Sequence, residues 1–349
     1  MQAEQIIEYG SPLASQTLAP PVPQGTEVLV KISRCGVCHS DVHIHDGHFD
    51  MGGGNKADIR AGRKLPFTLG HEIVGEVVAL GPEATDVKLG DRRVVYPWIG
   101  CRTCPTCMRG LEHLCPKPRN LGVNVDGGFA SHVIVAHPRY LLDYSGIPED
   151  IAGPYACSGL TAFGAVKKVL PAGAGDPVLI IGAGGVGMMA IQIFKALSGQ
   201  APFVVDIDPV KREAALAAGA AAVFDPADER AAISEINKAT GGCHGVVDFV
   251  GAEATTRIAT KALRRGGRAV IVGLFGGMYQ LPIPMFPWNE ISVGGSYVGS
   301  LAEMEELLAL VKAGKIAPIP VTLRPLSEAS KSLDDLRAGK VVGRVVLTT

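Results

Sequence analysis

The spacing of hydrophobic positions changes character midway along the chain. In the first half, apolar residues come in short runs, such as VLVKI from Val28 and IVGEVVAL from Ile73, broken by Gly, Pro and Asp. Short Val- and Ile-rich runs between turn formers predict strands, and therefore a β-rich part over residues 1–157. From Val178 onward the runs VLII, FVVD, AAVF, GVVDFV, RAVIVG and ISVGGSYV are apolar without alternation, and Ala-rich stretches of helical length separate them. That pattern predicts six strands buried on both faces, a doubly wound parallel sheet over residues 158–298. LAEMEELLALVKAG, from Leu301 to Gly314, reads as an amphipathic helix. It opens a final segment, residues 299–349, expected to pack back on the first part.

The length of 349 residues exceeds what one hydrophobic core usually serves, so two domains are expected. Lys and Arg number 33 against 34 Asp and Glu, a net charge of -1, and no basic run marks a nucleic-acid or membrane surface. The start, MQAEQIIEYGSPL, has neither a basic region nor an apolar core of a signal peptide, which points to the cytoplasm. Val178 to Phe194 carries no charge and approaches the length of a membrane helix. Gly182, Gly184, Gly185 and Gly187 interrupt it, marking a turn between a strand and a helix instead.

Cys101, Cys104, Cys107 and Cys115 form C-x2-C-x2-C-x7-C, compact enough to wrap one ion, and four thiolates close a tetrahedral zinc shell. The expected zinc lobe, about residues 97–119, is structural. Its only basic residues are Arg102, Arg109, Lys117 and Arg119, with no interleaved aromatics, which argues against a nucleic-acid module. Upstream, CGVCHSDVHIHDG offers a second chemistry. Cys35 and Cys38 could form a redox dithiol, but the βαβ pattern such a site needs begins far downstream. Cys38, His71 of LGHE and Cys157 of YACSGLTAFGA could instead supply three ligands of an open, catalytic zinc.

The cofactor signal is stronger. DPVLIIGAGGVGMMAIQIF gives strand, Gly182-x-Gly184-x-x-Gly187 and helix in order, and Asp206 ends the next apolar run. The glycines permit the turn and the approach of a pyrophosphate, and the helix N-terminus offers free N–H groups. Asp206 suits the ribose hydroxyls and repels a 2′-phosphate, favouring NAD over NADP, although Lys211 and Arg212 lie just downstream.

With these motifs in place the chain resembles the zinc-dependent medium-chain alcohol dehydrogenases over essentially its whole length: GVCHSD, GHE, the four-cysteine lobe, GAGGVG and the terminal GKVVGRVV follow in family order. The resemblance implies a GroES-like catalytic domain, an inserted Rossmann domain, two zinc ions and NAD per subunit, and an alcohol or aldehyde substrate. It places Cys38, His71 and Cys157 at the catalytic zinc, with Glu72 beside the metal and Asp41 behind His71. Ser40 and His43 match the proton relay, and His39 and Arg344 the pyrophosphate site. Thr161 falls by the nicotinamide, and Gly182, Gly184, Gly185, Val186, Gly187, Asp206, Lys211 and Val272 fall along the cofactor. Cys35 and Cys243 match no ligand and read as core residues.

A homotetramer or homodimer is implied, with ISVGGSYVG suited to an edge strand pairing across a two-fold axis. A non-enzymatic relative would have no reason to keep the ligands together with Ser40 and His43. A polyol dehydrogenase of the same superfamily is the alternative, but YPWIG and VGLFGG offer few polar groups. Between Cys38 and His71 the chain is longer than in compact family members. The three glycines of MGGGNKADIRAG predict a mobile flap within residues 46–64, and Phe49, Met51, Trp98 and Leu274 supply apolar wall suited to medium-chain or aryl alcohols.

Overall fold

The computed structural model describes residues 1–170, 173 and 175–349. It separates into two compact units, one of Met1–His48, Asp58–Leu160 and Gly299–Thr349, the other of Phe49–Ala57 and Thr161–Val298.

The first unit is mostly antiparallel β-structure. Gln2–Ile6 pairs with Ala14–Thr17 and with Phe67–Thr68. A larger sheet runs in the order Leu141–Leu142, Arg92–Val95, Glu72–Leu80, Val28–Gly36, Arg344–Thr348 and Val321–Pro325, with His132–Val135 also paired to Val28–Gly36. Its register matters for chemistry: Gly36 lies opposite Glu72, and Val346 opposite Gly36. A Cβ on Gly36 would meet Glu72 Oε2 at 1.9 Å, so only glycine lets that buried carboxylate cross the strand. The segment after Val298 belongs to this unit and opens with a capping box. Ser300 Oγ accepts from Glu303 N at 3.2 Å while Ser300 N donates to Glu303 Oε2 at 2.8 Å, and the helix Leu301–Lys312 follows.

The second unit is the doubly wound sheet. Its strands lie in the order Ala222–Phe224, Phe203–Val205, Val178–Ile181, Cys243–Asp248, Leu263–Ile271 and Ser292–Gly295, all parallel. Leu179, Ile181, Val205, Val246 and Ala269 meet Ile236, Ile258 and Ala262 of the covering helices in one core. Burial on both faces is why the central strands Val178–Ile181 and Cys243–Asp248 carry no polar alternation, whereas the edge strand Ser292–Gly295, expected to be buried, is exposed. Cys243 sits in that core and Cys35 is buried in the first unit, each a small apolar filler. The covering helices start where the sequence places caps: Asp208 accepts from Val210 N at 2.9 Å ahead of Pro209, and Asp228 from Ala231 N at 3.0 Å.

The glycine-rich insertion is a built hairpin rather than a loose flap. His48–Gly52 and Asn55–Asp58 form a two-stranded sheet, and Gly52, Gly53 and Gly54 turn between them with φ of 80°, 60° and 80°. The three glycines supply left-handed backbone for a tight turn, which explains their clustering without mobility. A Cβ on Gly52 would lie 2.7 Å from Met278 N, so the hairpin packs closely on the loop at Gly277–Met278.

Candidate metal and cofactor sites

Cys38, His71 and Cys157 come from three separated segments and converge with their ligand atoms within 4.8 Å of one another. Cys38 precedes the helix His39–Asp46, whose Asp41 does the joining: Oδ2 accepts from Cys38 N at 2.8 Å and Oδ1 from Gly70 N at 3.1 Å. One carboxylate thereby fixes the backbone of one thiol and the loop that carries His71. Asp41 Oδ1 also stands 3.3 Å from His71 Nδ1, poorly aligned for a hydrogen bond, and the Trp98 ring lies 5.3 Å from the imidazole. Cys157 projects from a π-helical turn, Tyr155–Gly159, that interrupts the helical run from Glu149 to Val169. Such turns widen a helix locally and often serve functional sites. Here Trp98 Nε1 donates to Ala156 O at 3.0 Å, and Ser158 Oγ to Pro154 O at 2.9 Å, which fastens the turn.

The donors fit a zinc ion. The Cys38 and Cys157 sulfurs are 3.8 Å apart, and metal–sulfur bonds of about 2.3 Å in a tetrahedral shell give an edge of about 3.8 Å. His71 is 0% exposed, and neither ring nitrogen has a hydrogen-bond partner, a costly state for a buried imidazole unless an ion takes the free nitrogen. The contact with Cys157 and the charge of Arg344 hold the Cys38 thiol well below its ordinary range, while Cys157 is pushed up by Cys38 and by burial.

Glu72, expected beside the metal, is buried with its carboxylate held by Arg344, Nε at 3.0 Å on one oxygen and Nη2 on the other, and by Ser158 Oγ at 3.3 Å. Arg344, expected at the pyrophosphate, is thus buried with its guanidinium on Glu72. Burial pushes the Glu72 carboxyl up and Arg344 pulls it back only in part. The pairing of distant Glu72 and Arg344, and the Ser158 contact, left no sequence signal.

The second donor set is closed. Cys101, Cys104, Cys107 and Cys115 lie within 4.8 Å of one another, with Cys101–Cys107 and Cys104–Cys115 sulfur pairs at 4.0 Å, again near a tetrahedral edge. Backbone N–H groups point at the sulfurs: Cys101 N and Lys117 N donate to Cys115 at 3.3 Å, and Cys107 N to Cys104 at 3.4 Å. The Thr103 hydroxyl and nearby amides hold the Cys101 thiol down to about 5, whereas burial pushes Cys107 up to about 12. Glu112, inside the cysteine run, is buried and accepts from Tyr140 Oη at 2.5 Å and Gly100 N at 3.3 Å. Its lone acidic charge between cysteines was the missed sign of this brace.

In the second unit the glycine-rich turn has the form the sequence requires. Gly182 has φ of 89°, and a Cβ on Gly187 would meet Gly182 O at 1.8 Å, so strand and helix touch through backbone. A Cβ on Gly184 would meet nothing within 4 Å, and the helix Gly185–Ser198 starts there with no side-chain cap. Open space over uncapped N–H groups fits a pyrophosphate. The Asp206 carboxylate accepts from Ala183 N at 2.7 Å on one oxygen and Asp208 N at 2.9 Å on the other. Each oxygen keeps a lone pair for a ribose hydroxyl. Lys211 stands 3.9 Å from Asp208, Val272 N donates to Asp248 O at 2.8 Å, and Val186 and Thr161 are half-buried in the first turns of their helices. Asp248 was missed: buried at a strand end, it accepts from Val250 N, Gly251 N and Thr255 Oγ1 and shapes the loop beyond.

Ser40 and His43 share the helix after Cys38; being three residues apart they lie on one face, with exposed His39 one turn before His43 and 6.4 Å from it, ring to ring. Burial holds the His43 ring below its ordinary range. Phe49, Met51 and Leu274, expected as apolar wall, line a cavity of about 450 Å³ in the second unit with Met278, Tyr279 and Phe286. The Trp98 ring packs on the zinc-site residue His71.

Residues 24–146 match the alcohol dehydrogenase GroES-like domain, and residues 185–313 the zinc-binding dehydrogenase domain. The chain is 39% identical to an NAD-dependent alcohol dehydrogenase of Sulfurisphaera tokodaii, with 99% of each chain covered. It belongs to the zinc-type medium-chain dehydrogenase/reductase family. A D-arabinose 1-dehydrogenase (NADP(+)) of Saccharolobus solfataricus is 34% identical, with 99% of this chain and 97% of that protein covered. The alcohol dehydrogenase of the archaeon Aeropyrum pernix superposes over 100% of both chains with a TM-score of 0.87 at 31% identity. The family's GroES-like and Rossmann parts account for the mixed sheet and the parallel sheet described above. Among the described residues no helix is long and apolar enough to cross a membrane.

Proposed function

We propose that the protein oxidises medium-chain aliphatic or aryl alcohols to aldehydes or ketones, reversibly, with NAD as hydride acceptor and two zinc ions per subunit. The observation that carries this reading is the contrast between the two donor sets. Three buried donors, Cys38, His71 and Cys157, leave a fourth position for substrate, whereas four cysteines leave none. When bound, the catalytic zinc supplies Lewis acidity to the substrate oxygen and NAD supplies the hydride acceptor.

The chain's own residues do the rest. Asp41 fixes the backbone around two zinc ligands, and the Trp98 ring keeps water from one side of His71. Ser40 passes a proton from its hydroxyl as it accepts the substrate's, and His43, kept neutral by burial, receives protons at its ring on the way to solvent. Gly182, Gly184, Gly185, Val186 and Gly187 receive the pyrophosphate, and Asp206 the adenosine ribose. Lys211 lies beside that ribose; His39, Thr161 and Val272 complete the contacts that family resemblance implies, while Arg344 is engaged with Glu72. Glu72 serves as a neighbouring carboxylate that Arg344 holds in reserve. The domains are a catalytic part over 1–157 with its zinc lobe, a cofactor part over 158–298 and a returning segment over 299–349.

The apolar residues Phe49, Met51 and Leu274, which the family resemblance puts near the substrate, favour apolar alcohols over polyols in this reading. The protein works as a homodimer or homotetramer in the cytoplasm, a setting in keeping with its unpaired cysteines. A substrate panel with NAD tests the reading: hexanol and benzyl alcohol should exceed sorbitol and D-arabinose in kcat/KM. Preference for the polyols would favour a polyol dehydrogenase.

A further inference from the structure

Asp206 has an acidic neighbour across the sheet. Val205 and Phe224 are register partners in adjacent parallel strands, and Asp206 N donates to Phe224 O at 3.3 Å, so Asp206 and Asp225 stand side by side just past the carboxyl ends. In an open parallel sheet a ligand lies beyond those ends. Arg212 is placed between them. Its Nη1 donates to Asp206 O at 2.7 Å and Ile207 O at 2.9 Å, and its Nη2 meets Asp225 Oδ2 at 2.9 Å. The guanidinium is therefore close to the Asp206 backbone, yet its outward edge is neutralised.

We infer that Asp225 is a specificity-determining residue for the cofactor. By pairing Arg212 it withholds a nearby guanidinium that a ribose 2′-phosphate would need. Asp206 repels such a phosphate directly, and Asp225 both adds a second negative charge and keeps its natural counter-ion engaged. A cation at this place is what accommodates a 2′-phosphate in dinucleotide-binding folds, and bidentate Arg–phosphate contacts are among the strong hydrogen bonds. Lys211 does not fill the same role, since its ammonium stands 3.9 Å from Asp208. The preference for NAD thus rests on a pair of carboxylates and a captive arginine, and loosening the pair opens the site to NADP. Asp225 has this role only if the adenosine ribose lies at Asp206, as proposed above.

The zinc-loaded enzyme can be titrated by calorimetry with 5′-AMP and with adenosine 2′,5′-bisphosphate. Asp225→Asn should tighten the bisphosphate about tenfold, the scale of one charge-assisted hydrogen bond, with 5′-AMP changed less than about twofold. Asp225→Asn combined with Arg212→Ala should lose that gain. The ratio of kcat/KM for NADP over NAD should rise and fall in parallel. Asp225 is 47% exposed at its side chain, so the substitution should fold, and Asp225→Ser serves as a second variant. The inference is overturned if the bisphosphate does not gain, if both nucleotides gain alike, or if most of the gain survives loss of Arg212. Failure of 5′-AMP to bind, or indifference of its binding to Asp206→Gly, would instead overturn the placement of the ribose.

Discussion

At the scale of single residues, the two metal sites should respond differently to loss of one thiol. Cys104→Ser opens a closed shell that ties a loop together, so it should lower thermal stability and release one zinc, because structural sites contribute folding energy. Cys38→Ser removes one of three donors from an already folded unit. Turnover should fall below detection while the melting temperature moves little; metal analysis and calorimetry check both. Two zinc ions per wild-type chain are expected, and full activity in Cys38→Ser would reject the assignment.

His43 gives a pH prediction. Burial depresses its folded-state value, so the neutral ring contributes stability that is present above the unfolded value of about 6.5 and is lost as pH falls through the lower folded value. The acid limb of alcohol oxidation should likewise lie below about 6.5. His43→Gln should flatten that limb; a pH profile of kcat/KM for both proteins decides it.

At the scale of elements, the hairpin His48–Gly52 with Asn55–Asp58 carries the glycine-rich stretch that lies in the chain between the zinc ligands Cys38 and His71. It contributes Phe49 and Met51 to the 450 Å³ cavity, and none of the donor atoms lies in it. Shortening residues 51–56 to a two-residue turn should leave both zinc ions bound and the hydride step intact. KM for hexanol and benzyl alcohol should change several-fold more than KM for ethanol, as expected where contacts act through binding. Equal relative KM across the three alcohols would make the hairpin surface decoration.

At the scale of the whole molecule, the last strand of the parallel sheet, Ser292–Gly295, is exposed along its length. Large apolar side chains cluster near it in sequence: Ile283, Trp288 at 72% exposure, Val293 and Tyr297. An unprotected edge with apolar neighbours is a surface that soluble proteins usually cover. Val293→Lys should therefore weaken the proposed association and lower the mass in light scattering after gel filtration, with both zinc ions retained. An unchanged mass would show that association uses another face.

How much was legible in the sequence follows from what each feature depends on. The six parallel strands, the glycine-rich turn, Asp206 and the four-cysteine lobe are local: period, turn chemistry and ligand spacing lie within a few residues of one another, and short-range physics determines them. Cys38, His71 and Cys157 could be named, but spacing alone did not bring them together. Their convergence depends on Asp41 bonding Cys38 N and Gly70 N, and on a π-helical turn that aims Cys157. The three glycines of the insertion read equally as mobility or as a turn, because the sequence holds only their permissiveness and the strands on either side decide its use. Glu72 with Arg344, and Arg212 with Asp225, were decided by the tertiary structure alone. Charged partners far apart in the chain meet only through sheet register, and no pattern along the sequence encodes which carboxylate a given arginine will reach.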